Sequence, residues 1–322
     1  MAHVTDPPPS AIQADLDDLE DVLDEQLPTR AVDRNLLLGT WNIRAFGGLT
    51  GRWVAGGEES PKRDLQSLRV IAAILRRFDV IAVQELRGNL KALRHTLKVL
   101  GDDWGLLLTD VTRGAPGNDE RLGFLFDRRR VRPSGLAAEL VVPEEELADV
   151  GPNALDRQFA RTPYAVSFRA GDTTFILVTL HVLYGDRAAD RVPELRAIAA
   201  WLDQWARDVN AWDHNLIALG DFNIDRRGDP RYEAFTSTGL TVPADLQDAP
   251  RTVFADPSDP TYYDQIAWFA AGDGRPALSL DHQRSGYFDF REHALPRRDL
   301  TDFQLSWRIS DHYPLWSEFA LP

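Results

Sequence analysis

The stretch Leu216-Ile217-Ala218-Leu219-Gly220-Asp221-Phe222-Asn223 constrains the fold more than any other part of the chain. Four apolar residues in a row read as a buried strand. Gly220 follows, and a residue without Cβ takes backbone angles closed to others, so a turn is expected there. Asp221 and Asn223 sit two apart, the spacing at which side chains of an extended chain point the same way. A carboxylate and a carboxamide projecting together suit a water or a phosphate oxygen. Asp and Asn are also ordinary turn residues, so this stretch alone does not separate a site from a bend.

The same arrangement recurs along the chain. Leu36 to Arg44, Asp79 to Glu85, Thr173 to Leu180, Tyr263 to Trp268 and Leu315 to Phe319 all read as strands. Polar residues stand at their ends: Asn42, Glu85, His181, Asp221 with Asn223, Asp264, and Asp311 with His312. Each alone is turn chemistry. Jointly they are how a fold gathers one site from distant sequence. Paired strands are expected at Gly105 to Thr109 and Leu122 to Phe126. Helices are expected from Pro61, over Leu90 to Leu100, and from Pro193 with Leu195, Ile198, Leu202, Trp205 and Val209 inward. Residues 128–160 read as irregular and 271–308 as a long connection. No internal repeat is visible. Many strands with a few helices between them predict packed sheets covered by helices.

A net charge of −14 over 322 residues argues at first against a polyanionic substrate. Eight acidic residues precede the first Arg at position 30, however, which leaves −6 for the remainder. The basic residues are almost all Arg, which pairs with phosphate in a bidentate way. There is no apolar run of membrane-spanning length and no secretory pattern at the N-terminus. The absence of Cys excludes disulfides and thiolate metal sites, and suits a reducing, cytoplasmic setting.

Residues 1–34 read as an acidic extension. Ser10 is a candidate cap for an amphipathic helix carrying Ile12, Leu16, Leu19, Leu23 and Leu27. So short a helix is marginal in water, so it should dock on the body or on a protein partner. Residues 35–322 form that body.

Eight stretches carry a family resemblance. They are Trp41-Asn42-Ile43-Arg44 with Phe46-Gly47, Val83-Gln84-Glu85-Leu86-Arg87, Glu120-Arg121, Phe159-Ala160-Arg161-Thr162-Pro163, Leu180-His181, Gly220-Asp221-Phe222-Asn223, Tyr263-Asp264-Gln265-Ile266, and Ile309-Ser310-Asp311-His312-Tyr313-Pro314. In this order the chain resembles the endonuclease/exonuclease/phosphatase superfamily, and within it deoxyribonuclease I most. The resemblance implies an α/β fold, a four-layered sandwich of two central β-sheets flanked by helices. It implies hydrolysis of phosphate esters with a divalent metal, usually Mg2+, with Mn2+ or Ca2+ as substitutes.

By the same resemblance Glu85 is the principal metal ligand, with Asp311 and Asn42 beside it. Asp221 and Asn223 position water and a phosphate oxygen. His181 and His312 form the histidine pair, Glu120 against the first and Asp264 against the second. Arg161 clamps phosphate, and Arg44 and Arg87 lie along DNA. Asn118 departs from the pattern, standing where deoxyribonuclease I has a DNA-contacting Tyr. Hard oxygen ligands suit Mg2+, and imidazoles suit proton exchange near neutrality. The expectation is a metal-dependent DNA endonuclease of low sequence specificity. The alternatives are a phosphodiesterase or phosphatase acting on lipid or inositol phosphates, and an inactive scaffold of the same fold.

Overall fold

The computed structural model describes residues 2–112, 118–140, 161–185, 187–208, 215–256, 258, 260–272 and 278–322. The expected inward Val209 and the motif residues Phe159 and Ala160 lie outside them.

Alternation along the first strand sets the layering. In β1 (Asn35–Phe46), Leu36 and Leu38 belong to the core between the sheets, whereas Leu37, Trp41 and Ile43 belong to the core beneath the helices. The period of two therefore turns Asn42 towards the opposite sheet. Sheet 1 holds β1 with β2 (Val80–Arg87), β3 (Trp104–Leu108), β4 (Glu120–Asp127), β11 (Asp281–Tyr287) and β12 (Leu315–Ala320), in the order β11-β12-β1-β2-β4-β3. Sheet 2 holds β5 (Arg132–Glu139), β6 (Tyr164–Ala170), β7 (Thr173–His181), β8 (Leu216–Ile224), β9 (Leu240–Thr241) and β10 (Tyr262–Phe269), in the order β5-β6-β7-β8-β10-β9.

The helices are α1 (Ser10–Gln26), α2 (Leu65–Leu75), α3 (Lys91–Leu100), α4 (Arg191–Arg207), α5 (Pro230–Thr236) and α6 (Asp302–Ser306). α1, α2 and α3 share the core on the outer face of sheet 1, and α4 packs with sheet 2. This is the four-layered α/β sandwich.

The sheets are built alike. Each has one parallel pair at its centre, β1 with β2 and β7 with β8, bridged by α2 and α4. Parallel neighbours need such a crossover. β4 flanks β2 as β10 flanks β8, and β12 flanks β1 as β6 flanks β7. The chain thus carries a duplicated topology that its sequence does not display.

Local expectations shift in five places, one of them being residues 271–308, read as a long connection, which hold edge strand β11 and helix α6. Ser10 is the first helical residue of α1 rather than a side-chain cap. α2 starts at Leu65, capped by Asp64, whose carboxylate accepts from Ser67 N at 3.0 Å; Pro61 lies in the loop before it. Residues 132–139, read as irregular because of Pro133, Ser134 and Gly135, form edge strand β5, where a Pro is tolerated. The chain does not turn at Gly220: β8 runs straight through it. Gly220 has φ of +146°, and a Cβ there would sit 2.1 Å from the Leu180 carbonyl oxygen. A close approach of β7 and β8 requires this glycine, not a bend.

The acidic helix α1 docks on α2 through Ile12, Leu16, Leu19 and Leu23. Each buried Leu contributes about 2 kcal/mol, enough to hold a helix that would be marginal alone. Its carboxylates Asp15 and Glu20 pair with Arg297, Arg76 and Arg77. Among the described residues no helix is long and apolar enough to cross a membrane.

A carboxylate–imidazole cluster between the sheets

Strand register assembles the centre of the site. In the parallel β7–β8 pair His181 lies opposite Asp221, and in the antiparallel β8–β10 pair Asp221 lies opposite Asp264. Three strands thus set an imidazole and two carboxylates side by side. Sheet 1 supplies Asn42 from β1, Glu120 from the start of β4, and His312 from the segment leading into β12.

Asp221 is the point of convergence. Its Oδ2 accepts from Asn42 Nδ2 at 3.0 Å and lies 3.6 Å from His181 Nε2 and 4.0 Å from His312 Nε2. Its Oδ1 accepts from Asn223 N at 2.9 Å, an approach helped by the left-handed φ of +50° at Asn223. Burial pushes the Asp221 carboxyl up, but His312, His181 and the Asn223 and Asn42 donors outweigh it and hold it below the usual range.

Each imidazole turns its other nitrogen to a carboxylate of the opposite sheet. His181 Nδ1 lies 3.1 Å from Glu120 Oε2, and His312 Nδ1 lies 2.6 Å from Asp264 Oδ2. Glu120 is also held by Arg161 Nε at 2.7 Å, Arg87 at 3.3 Å and Asn118 Nδ2 at 2.6 Å. Burial opposes its charge, yet His181, Arg161 and Arg87 hold it down to about 2. Asp264 is fully buried, and burial pushes it up to about 6 despite His312. For His312 burial disfavours the proton, but Asp264, Asp221 and Asp311 prevail and raise it well above the usual imidazole range.

Glu85 and Asp311 are tied in through arginines. Glu85 accepts from Ala45 N at 2.7 Å and meets Arg87 at 3.4 Å; Arg87 also meets Glu120. Asp311 meets Arg44 at 3.5 Å, and Arg44 stacks 3.9 Å above the Trp307 ring. Glu85 has φ of +59° beside a register shift, so β2 departs from regular pairing at this residue. Four buried acceptors of the cluster have no hydrogen-bond donor: Asn42 Oδ1 and Asp311 Oδ1 here, and Glu120 Oε2 and Asp264 Oδ1 beside the imidazoles. Such hard oxygen atoms suit a Mg2+-type cation. Asp221, Asp264 and His312 also bring three ligand atoms within 4.8 Å of one another. There the short His312–Asp264 hydrogen bond already engages Nδ1.

Not every expected residue faces the cluster freely. Asn223 Nδ2 donates to the Val182 carbonyl at 2.7 Å, tying down the chain after β7. Arg161 is buried, donates to the His181 carbonyl at 3.4 Å and is ion-paired with Glu120. Sequence reasoning missed Arg63, a buried guanidinium that donates to the Arg44, Ala45, Arg308 and Ile309 carbonyls and so ties Arg44 to the turn before Asp311. It also missed Arg251, whose Nε donates to the Asp264 carbonyl at 2.7 Å. No local pattern marks either one. The aromatics Phe303, Trp307, Tyr184 and Phe254 are exposed on segments adjoining the cluster; proximity of the first two to Ser310-Asp311-His312 in sequence was the available signal.

A family model described as Endonuclease/Exonuclease/phosphatase family matches residues 39–312. A protein named deoxyribonuclease from Thioalkalivibrio sp. is 32% identical over 203 residues, 62% of this chain and 48% of its own length. The match thus spans about half of that relative. Among solved structures, an endonuclease/exonuclease/phosphatase family protein of Bacteroides thetaiotaomicron superposes with a TM-score of 0.58 at 18% identity, covering 89% of this chain and 98% of the other. A mannosyl-6-phosphatase of the same organism superposes with a TM-score of 0.57 at 16% identity, covering 88% and 99%. These two establish likeness of fold.

Proposed function

The chain belongs to the endonuclease/exonuclease/phosphatase family, and from that premise we propose that it is a divalent-metal-dependent phosphodiester hydrolase, a DNA endonuclease of low sequence specificity. The observation that carries the reading is the convergence of two imidazoles on one carboxylate, His181 at 3.6 Å and His312 at 4.0 Å from Asp221 Oδ2. The deoxyribonuclease relative supports the choice of DNA. Residues 35–322 are the catalytic body, with 1–34 an extension docked upon it.

Each polar group then has a task. Asp221, held ionised, takes the proton of the attacking water as its oxygen bonds to phosphorus. His312, held as imidazolium by Asp264, donates to a phosphoryl oxygen and stabilises the charge that develops there. Because it already carries its proton, it does not serve as the base. His181, oriented by Glu120, protonates the departing oxygen as the P–O bond breaks. Asn42 and Asn223 fix Asp221, Arg161 holds Glu120 beside the phosphate path, and Arg44 and Arg87 meet the neighbouring backbone. Glu85 and Asp311 with Asn42 Oδ1 would hold the cation, Mg2+ or in its place Mn2+ or Ca2+. When bound it supplies neutralisation of the phosphate charge.

The exposed Phe303, Trp307, Tyr184 and Phe254 favour one second reading, a phosphodiesterase for lipid or inositol phosphates whose apolar part rests on these rings. The test compares labelled duplex DNA, single-stranded DNA, RNA, sphingomyelin and inositol phosphates, each with Mg2+ and with chelator. Plasmid nicking that needs Mg2+ and is lost in His181→Ala is expected. Intact DNA beside digested sphingomyelin would sink the nuclease reading, as would full activity in chelator.

A further inference from the structure

α3 carries Lys91, Arg94, His95 and Lys98 at helical spacings of three, four and seven, so they share one face. Two of the three lysines in the whole chain stand there. With Gly88, Asn89 and Leu90 they line a cavity of about 500 Å³ that no acidic residue borders. Lys91, Arg94 and Lys98 are exposed, and among the described residues none of the three meets a carboxylate. Arg30, Arg77, Arg130 and Arg298, by contrast, each sit on one. Burial and then the charges of Lys98, His3 and Lys91 push the His95 imidazole down, as a positive local field should.

The cavity begins at Gly88, directly after Arg87, whose guanidinium meets Glu85 and Glu120. Ala92 N donates to the Gly47 carbonyl at 2.8 Å and Lys91 Nζ to the Leu49 carbonyl at 2.7 Å, fixing α3 against the loop that follows β1. The cavity lining therefore starts one residue beyond an arginine of the cluster.

We propose that this face of α3 is a second phosphate-binding tract, on which the backbone of the nucleic-acid substrate lies outside the catalytic cluster. The proposal rests on the nucleic-acid reading above. Lys91 to Lys98 spans about 10 Å of helix, matching about three phosphates of one strand. Contacts of this kind give affinity without sequence information. None of the exposed large apolar side chains lies on α3, which disfavours a membrane surface as the occupant.

The test uses the full chain with Lys91→Gln, Arg94→Gln and Lys98→Gln combined, and Lys91→Arg with Lys98→Arg as the charge-keeping control. Binding of a labelled duplex is followed against KCl concentration with chelator present, and cleavage of bis(p-nitrophenyl) phosphate, too small to reach α3, is followed with Mg2+. The slope of log affinity against log salt should shrink by about 2 to 3 in the triple variant and stay put in the control. Turnover of the small diester should match wild type, and any drop in thermal midpoint should be reproduced by Lys91→Gln alone, which loses the Leu49 contact. A wild type that cuts DNA beside a triple variant of unchanged slope would overturn the tract alone. So would equal loss on the small diester, or lost sedimentation with phosphatidylserine vesicles at unchanged slope. A wild type that hydrolyses the small diester but neither binds nor cuts DNA overturns the nucleic-acid reading itself.

Discussion

Glu120 on β4 and Asp264 on β10 occupy related places in the two halves of the molecule and each meets a histidine, yet the two carboxylates differ in kind. Glu120 is ringed by Arg161, Arg87 and Asn118, and its charge is secure down to a pH of about 2. Asp264 sits fully buried with Asp221 close by, and burial lifts it to about 6. One pair is a fixed charge with an imidazole attached. The other is two groups competing for one proton, and His312 wins it. The same motif therefore yields two chemistries, decided by what surrounds the carboxylate rather than by the carboxylate itself. The pairs also cross between sheets: Glu120 of sheet 1 holds His181 of sheet 2, and Asp264 of sheet 2 holds His312 beside sheet 1. Neither sheet contains a complete pair.

The largest effect should come from the group both pairs share. Asp221→Ala should lower kcat about 10³-fold in nicking assays, with far-ultraviolet circular dichroism unchanged. A loss of less than tenfold would mean the imidazoles do not act through it. Next, Asp264→Asn should cost about 10²-fold and move the alkaline limb of the pH–rate profile to lower pH. The sign follows from His312: its raised pKa keeps the proton on, and removing Asp264 releases it earlier. Glu120→Gln should cost about as much without displacing that limb. If both substitutions displace it equally, the two pairs are not different in kind.

Stability should divide them as well. Glu120 has its folded pKa depressed from an ordinary value of 4.5 to about 2, so its contribution is present above 4.5 and fades as pH falls towards 2. Urea midpoints of wild type should drop over that window, and those of Glu120→Gln should drop less. The raised His312 works in the opposite sense, its contribution present below the unfolded imidazole range and lost as pH rises through the folded value. The smallest effect should come from the rim: Trp307→Ala should raise KM about 3- to 10-fold by releasing Arg44, with little change in kcat.

Most strands were legible because apolar runs with a polar end survive translation into structure, as in Leu216 to Asn223. β5 was not, since Pro133, Ser134 and Gly135 look like a loop and an edge strand buries little. Gly220 was legible as a special position but misread as a bend, because close strand approach and a turn both demand glycine. The pairing of histidines with carboxylates came from the family resemblance; nothing local in Glu120 or Asp264 names its partner across 61 or 48 residues. Arg63 and Arg251 were invisible, because a guanidinium that binds only main-chain carbonyls leaves no sequence trace.

The antiparallel pairing of β1 with β12, Asn35 opposite Ala320, carries a consequence for how such a molecule is made. During synthesis every strand of sheet 2 emerges before β12 does, so β1 must wait with one margin bare. His312 arrives with that same late segment. A growing chain therefore lacks one imidazole of the cluster along with that margin, and the arrangement shared by the two sheets is complete only when this closing strand is zipped into place.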